Sequence, residues 1–114
     1  MKIKQFDIWI ADLNPAIGTE SGKIRPVLII QTDLLNKYHP SSIVCPITSN
    51  VQEKSDILRV HLKKSSCGLD VDSDVLIDQI RAIDNKRLLK KIGTIPTILT
   101  ANVKKNLKII FDLE

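Results

Sequence analysis

A chain of 114 residues with 43 % apolar side chains is the size of one domain and can build a continuous core, which excludes a disordered tail. Its net charge of +4 is unevenly spread, because residues 1–85 carry ten Lys/Arg against eleven Asp/Glu and residues 86–114 carry seven against two. No stretch approaches the roughly 20 apolar residues of a bilayer span, and residues 1–5 (MKIKQ) lack the apolar run of a signal peptide, so a cytoplasmic location away from membranes is expected.

The first expected strand is Phe6 to Asp12, where Phe6, Ile8 and Ile10 alternate with Asp7, Trp9 and Ala11. Leu13 to Gly22 then breaks every regular pattern with Asn14, Pro15, Gly18, Ser21 and Gly22 and reads as a long exposed loop. Loops of this kind on small rigid domains are where function tends to sit. Arg25 to Gln31 is a second strand, apolar on both faces and therefore central, with Pro26 tolerated near its start. Thr32 to Asn36 reads as one helical turn capped by Thr32. Ser42 to Thr48 and Ile57 to Leu62 are the third and fourth strands, followed by a turn from Ser65 to Ser73 around Gly68. A long fifth strand is expected from Asp74 to Ile83, a turn at Asp84 and Asn85, and a short sixth strand from Leu88 to Ile92 ended by Gly93.

From Thr94 or Pro96 onward the period changes. Ile98 or Leu99, then Val103, Leu107, Ile110 and Phe111 recur at spacings of three and four, with Lys104, Lys105 and Lys108 toward the other side. Short strands and one amphipathic helix predict a mainly β fold with minor α content: one SH3-like small β-barrel spanning 1–114 with a C-terminal helix.

Cys45 and Cys67 form neither a disulfide framework nor a zinc pattern, and both read as packed or idle thiols. His39 and His61 stand alone in the sequence, with no Cys or carboxylate at ligand spacing, so neither a metal nor another cofactor is expected. No glycine-rich phosphate loop, His-Glu-x-x-His motif or nucleophile elbow is present. The basic C-terminal part suits a polyanionic partner, although on charge alone a solvated helix face is the first reading.

The remaining polar residues fall at strand ends beside the irregular loop: Glu20 within it, Arg25 where it meets the second strand, Thr48 and Ser49 ending the third, Gln79 and Arg81 on the fifth. Strand ends of a small barrel share a rim. RNA carries its own nucleophile, the 2′-hydroxyl, so such a rim needs only a proton acceptor and groups that stabilise a phosphorane. Glu20 could take the proton, the Arg25 guanidinium matches two phosphate oxygens, and the Thr48 hydroxyl can donate to one. The same groups could instead clamp the loop, with Glu20 and Arg25 ion-paired and Thr48 and Ser49 as turn hydroxyls.

These residues lie in blocks that resemble a known family. Asp7-Ile-Trp9, Asp12 to Pro15, Gly18-Thr-Glu20 and Arg25 to Gln31, followed by Pro46-Ile-Thr48 and Asp78 to Asp84, are similar in order and spacing to the MazF/PemK endoribonuclease toxins. The resemblance implies an SH3-like barrel acting as a homodimer and metal-independent, sequence-specific cleavage of single-stranded RNA, leaving a 2′,3′-cyclic phosphate and a 5′-hydroxyl. It also implies neutralisation by a cognate antitoxin with an acidic flexible tail. Carried over, it assigns Arg25 and Thr48 to catalysis with Glu20 as proton acceptor or positioning group. Thr19, Ser49, Gln79 and Arg81 become RNA contacts. One departure is Phe6 before Asp7, where many family members have Gly. A sister group of the same fold that poisons DNA gyrase without cutting RNA is the alternative, and it lacks the Arg25 and Thr48 pair.

Overall fold

The computed structural model describes residues 2–20 and 22–114; Met1, and Ser21 of the expected loop, lie outside the described residues. Its strands are β1 (Asp7–Asp12), β2 (Ile24–Ile29), β3 (Ser41–Thr48), β4 (Arg59–Leu62), β5 (Ser73–Leu76), β6 (Arg81–Asp84) and β7 (Leu88–Thr94). All described pairings are antiparallel and follow the order β4-β5-β3-β2-β1-β7, with β6 also paired to β3. The helices are the single turn α1 (Asp33–Asn36) and the longer α2 (Thr97–Ile110). The architecture is mainly β with a C-terminal helix, a bent, barrel-like sheet whose ladder is not closed between its edge strands β4 and β7.

The edges meet through a turn instead. Gly68, with φ +83°, lies against the Ile92 carbonyl, and Gly93 lies against the Cys67 carbonyl, so a Cβ at either position would collide with backbone. Gly93 therefore does not end the last strand, as its residue type suggested. β7 runs through it to Thr94, and the missing side chain lets the turn after β4 seat on β7.

The long fifth strand is interrupted. Ser73–Leu76 pairs with the end of β3 and Arg81–Asp84 with its beginning, separated by a 3-10 turn at Ile77–Gln79. Thr48 faces Asp74 and Val44 faces Arg81, so four steps along β3 are matched by seven on the other side. The three extra residues are those of the 3-10 turn, which is anchored by Ile77 N–H on Leu58 O at 2.9 Å. Alternation alone cannot reveal this bulge, because Leu76, Ile77 and Ile80 are apolar whichever way the chain turns.

Both faces of the central strands are covered, which explains the continuous apolar run of β2. Ile8, Leu28, Cys45 and Ile47 point into one core with Val60, Leu62, Val75, Ile77 and Val103 of α2. Trp9, Ala11, Val27, Ile29 and Val44 point into the other with Leu13, Ile83 and Leu88. Leu99, rather than the exposed Ile98, begins the buried stripe of α2, and Leu107 and Ile110 continue it. Phe111, expected on that stripe, lies half exposed past the helix end. Thr32 caps α1 as expected, its side chain accepting from Leu34 N–H. Both cysteines are free and buried, and desolvation first, then the nearby Asp78 charge, push the Cys45 thiol up to about 12.

Phe6 occupies a left-handed conformation with φ +71°. Its N–H donates to Ile29 O at 2.6 Å and its carbonyl accepts from Ile95 N–H at 3.1 Å, so both neighbours hold that shape. Glycine would take it without Cβ strain. Here the ring packs against the first core and lies under Lys104 Nζ, 5.7 Å from its centroid. Phe6→Ala loses the ring and keeps the strain. Phe6→Gly loses the ring and relieves the strain, at some cost in unfolded-chain entropy. Denaturant unfolding should therefore find Phe6→Gly the more stable of the two by about 0.5–1 kcal/mol, against the usual Ala-over-Gly order. The ordinary order would mean that the left-handed turn stores no strain.

Candidate active site

Two loops border the ends of β2 and β3. The first, residues 13–22, is gathered at its base by Leu13 N–H to Lys23 O (2.9 Å) and Lys23 N–H to Asn14 Oδ1 (2.7 Å). Arg87 reaches the same base from the far end of the sequence, its Nη1 donating to Asp12 O at 3.0 Å and Asn14 O at 2.6 Å. Arg25, half-buried where β2 begins, donates from Nε to Gly22 O at 2.9 Å. That bond fixes the plane of the guanidinium while using one of its five donors.

The second loop follows β3. Val27 faces Pro46 on the β2–β3 ladder, and continuing that register by two residues brings Arg25 opposite Thr48. Arg25, Thr48 and Ser49 line one open hollow together with Lys23 and Asp70. The Thr48 hydroxyl oxygen accepts from Asn50 N–H at 3.2 Å. Its own proton is therefore still available to donate.

Thr19, Glu20, Gln79 and Arg81 line a second hollow with Asp78 and Ile80. The 3-10 turn creates this wall, turning Asp78 outward and leaving Gln79 and Arg81 half-buried beside the loop. The seven residues singled out in the sequence thus gather in two groups, Arg25 with Thr48 and Ser49, and Thr19 with Glu20, Gln79 and Arg81. No ion pair joins Glu20 to Arg25 among the described residues, so the loop-clamp arrangement is absent in that form. Thr48 does make the turn bond that arrangement foresaw. Trp9 is 6 % exposed and belongs to the core, whereas Tyr38 is 81 % exposed.

A third polar group was not foreseen. His61 Nδ1 lies 2.6 Å from Oδ1 of the fully buried Asp74, and Arg59 Nη1 donates to its Oδ2 at 3.0 Å. Gln52 N–H donates to that same Oδ2 at 2.9 Å. His61 therefore does have a carboxylate partner, brought across the β4–β5 ladder where His61 faces Asp74. Two alternating strands were legible, but their register was not, and register is what makes this contact. Burial opposes the charge on Asp74, yet the Gln52 amide, His61 and Arg59 outweigh it and hold the carboxyl below its ordinary value of 3.8.

A depressed carboxyl stabilises the fold above its ordinary value and loses that contribution as pH falls through the lower folded value. The stability gap between the native chain and Asp74→Asn should therefore be constant near neutrality and shrink as pH drops below 3.8. Denaturant titrations of both proteins across that range check it. A gap that widens on acidification would contradict the assigned charge.

Comparison with known proteins places the chain in a family. Residues 4–111 match the profile of the PemK-like, MazF-like toxins of type II toxin–antitoxin systems. The chain is 38 % identical over 109 residues to Endoribonuclease EndoA of Bacillus subtilis, covering 96 % of this chain and 94 % of that protein. The Mycobacterium tuberculosis toxin MazF-mt6 superposes with a TM-score of 0.80 at 26 % identity, over 95 % of this chain and 98 % of that one. MazF from Deinococcus radiodurans superposes with a TM-score of 0.85 at 23 % identity over 99 % of both chains, a likeness of fold. Matched over nearly its whole length, the chain belongs to the PemK-like, MazF-like toxin family.

Proposed function

We propose that this chain is an endoribonuclease toxin that cuts single-stranded RNA by attack of the substrate's own 2′-hydroxyl. The observation that carries the reading is that Arg25, near the start of β2, and Thr48, at the end of β3, line one open hollow. In the reaction the 2′ oxygen loses its proton and bonds to the adjacent phosphorus, and the bond from phosphorus to the 5′ oxygen breaks. The departing oxygen takes up a proton, leaving a 2′,3′-cyclic phosphate and a 5′-hydroxyl.

Arg25 stabilises the charge that grows on the phosphorane oxygens, and the Thr48 hydroxyl donates to one of them. Both are held before substrate arrives, Arg25 by Gly22 O and Thr48 by Asn50 N–H, so little ordering is left for the transition state. RNA brings its nucleophile with it, so no metal-activated water is needed and the cleavage is metal-independent. Glu20 lines the neighbouring hollow with Thr19, Gln79 and Arg81, a group suited to holding the nucleotides that flank the cut. In that position Glu20 serves as a positioning group. Its role as proton acceptor needs RNA spanning both hollows.

With Trp9 buried, base recognition rests on polar contacts from Thr19, Ser49, Gln79 and Arg81 more than on stacking. The same reading gives the protein a homodimeric working form in the cytoplasm and a cognate antitoxin whose acidic flexible tail occupies the RNA groove. Support comes from the family's place in type II toxin–antitoxin systems and from Lys23 and Arg25 at the hollow.

Cleavage of an unstructured RNA by purified protein in EDTA tests the reading. Arg25→Ala should lose at least about a hundredfold in rate, and Thr48→Ala should lose rate with an unchanged melting temperature. Near-normal cleavage by Arg25→Ala, or a requirement for added metal, would refute the assignment. No cleavage at all by the folded native protein would move the protein to the gyrase-poisoning alternative.

A further inference from the structure

The backbone just beyond Thr48 is held by a group that the proposed cleavage reaction does not use. Thr48 Oγ1 accepts from Asn50 N–H at 3.2 Å. The carbonyl of that same Asn50 accepts from Arg59 Nη1 at 2.7 Å. Arg59 Nη1 also donates to Asp74 Oδ2 at 3.0 Å, and the same carboxylate oxygen accepts Gln52 N–H at 2.9 Å. Asn50 and Gln52 are both exposed loop residues, yet each is tied by its backbone to one buried ion pair.

The pair is itself well supported. The Asp74 side chain is 0 % exposed and that of Arg59 only 15 %. His61 holds the other carboxylate oxygen at 2.6 Å, and Asp74 is the cross-strand neighbour of both Thr48 and His61. Asn106 of α2 donates to Asp56 O at 3.0 Å, fastening the far end of the same loop to the helix. A charge pair removed from water is costly unless its remaining hydrogen bonds are made, and here they are made to the loop that follows Thr48.

We propose that Arg59 and Asp74 are positioning residues for Thr48, fixing its hydroxyl through the Asn50–Gln52 backbone. This rests on the assignment of Thr48 to catalysis. Without the clamp, Asn50 is free to leave the Thr48 oxygen, and the hydroxyl samples rotamers that do not aim at the scissile phosphate. The loss falls on the chemical step, because a hydroxyl that donates only to the phosphorane contributes little to ground-state binding. A purely structural clamp would instead lower stability and leave the rate per folded molecule unchanged.

A double-mutant cycle on RNA cleavage separates these roles. Arg59→Ala should lower kcat by about tenfold with KM unchanged in the native background, and change kcat by less than about twofold when Thr48→Ala is already present. Amide exchange of the unliganded protein should quicken at Asn50 and Gln52 in Arg59→Ala, while the β1–β2 amides stay protected. If Arg59→Ala does not fold, Arg59→Lys, which keeps the charge and loses the planar fork, carries the same cycle.

Equal losses in both backgrounds, or no loss in the native background, would overturn the proposal. Native-rate cleavage by Thr48→Ala alone would instead remove the catalytic assignment of Thr48, and this proposal with it. The exchange rates would then still report whether the clamp holds the loop.

Discussion

The structure turns on a mismatch along one edge of β3. Between Thr48 and Val44 that strand advances four residues while its neighbour advances seven, from Asp74 to Arg81. The surplus becomes the 3-10 turn Ile77–Gln79, with Ile77 driven into the core and Asp78 turned outward. A bulge of this kind bends the sheet and re-aims side chains. The bend lets the turn after β4 reach β7, where Gly68 and Gly93 give backbone room to meet. The re-aiming builds the wall of Gln79 and Arg81 against which Thr19 and Glu20 lie.

The two loops that border the hollows are held in the same way. Each has an arginine donating to backbone carbonyl oxygen, Arg87 from far along the sequence to Asp12 and Asn14 at the base of the first loop, and Arg59 at the start of β4 to Asn50 in the second. Backbone carbonyls are indifferent to which side chain the loop carries. An arginine anchor therefore leaves the outward-facing residues open to change while the loop keeps its shape. Arg25 adds a shorter version of the same device, bonding Gly22 O across three residues of its own loop.

Periodicity was enough to place most elements, because alternation and three-four spacing follow directly from burial on one or both faces. β1, β2, β3 and α2 were legible for that reason, and Leu99, Val103 and Leu107 mark the helix stripe in both. The interruption at Ile77–Gln79 was not legible, since three apolar residues near it satisfy a strand and a bulge equally. Arg25, Thr48 and Ser49 were found as strand-end polar residues and do meet, while Glu20 sits with Gln79 and Arg81 instead. The Arg59–Asp74–His61 group escaped notice because it depends on the pairing of β4 with β5, in which a slip of one residue would send His61 to the opposite face. Nor could composition reveal Arg87, whose loop partners lie 73 and 75 residues away.

In the proposed reaction the RNA supplies its own nucleophile while Arg25 and Thr48 stabilise the phosphorane. An oligoribonucleotide cut by the protein at one site, remade with a single 2′-deoxyribose on the 5′ side of that bond, tests it most directly. The remade strand should be bound with similar affinity and not cut, while the all-ribose strand should yield a 2′,3′-cyclic phosphate in EDTA. Cleavage of the deoxy-substituted bond would show that water or a protein group attacks phosphorus, and would rule out the 2′-hydroxyl as nucleophile.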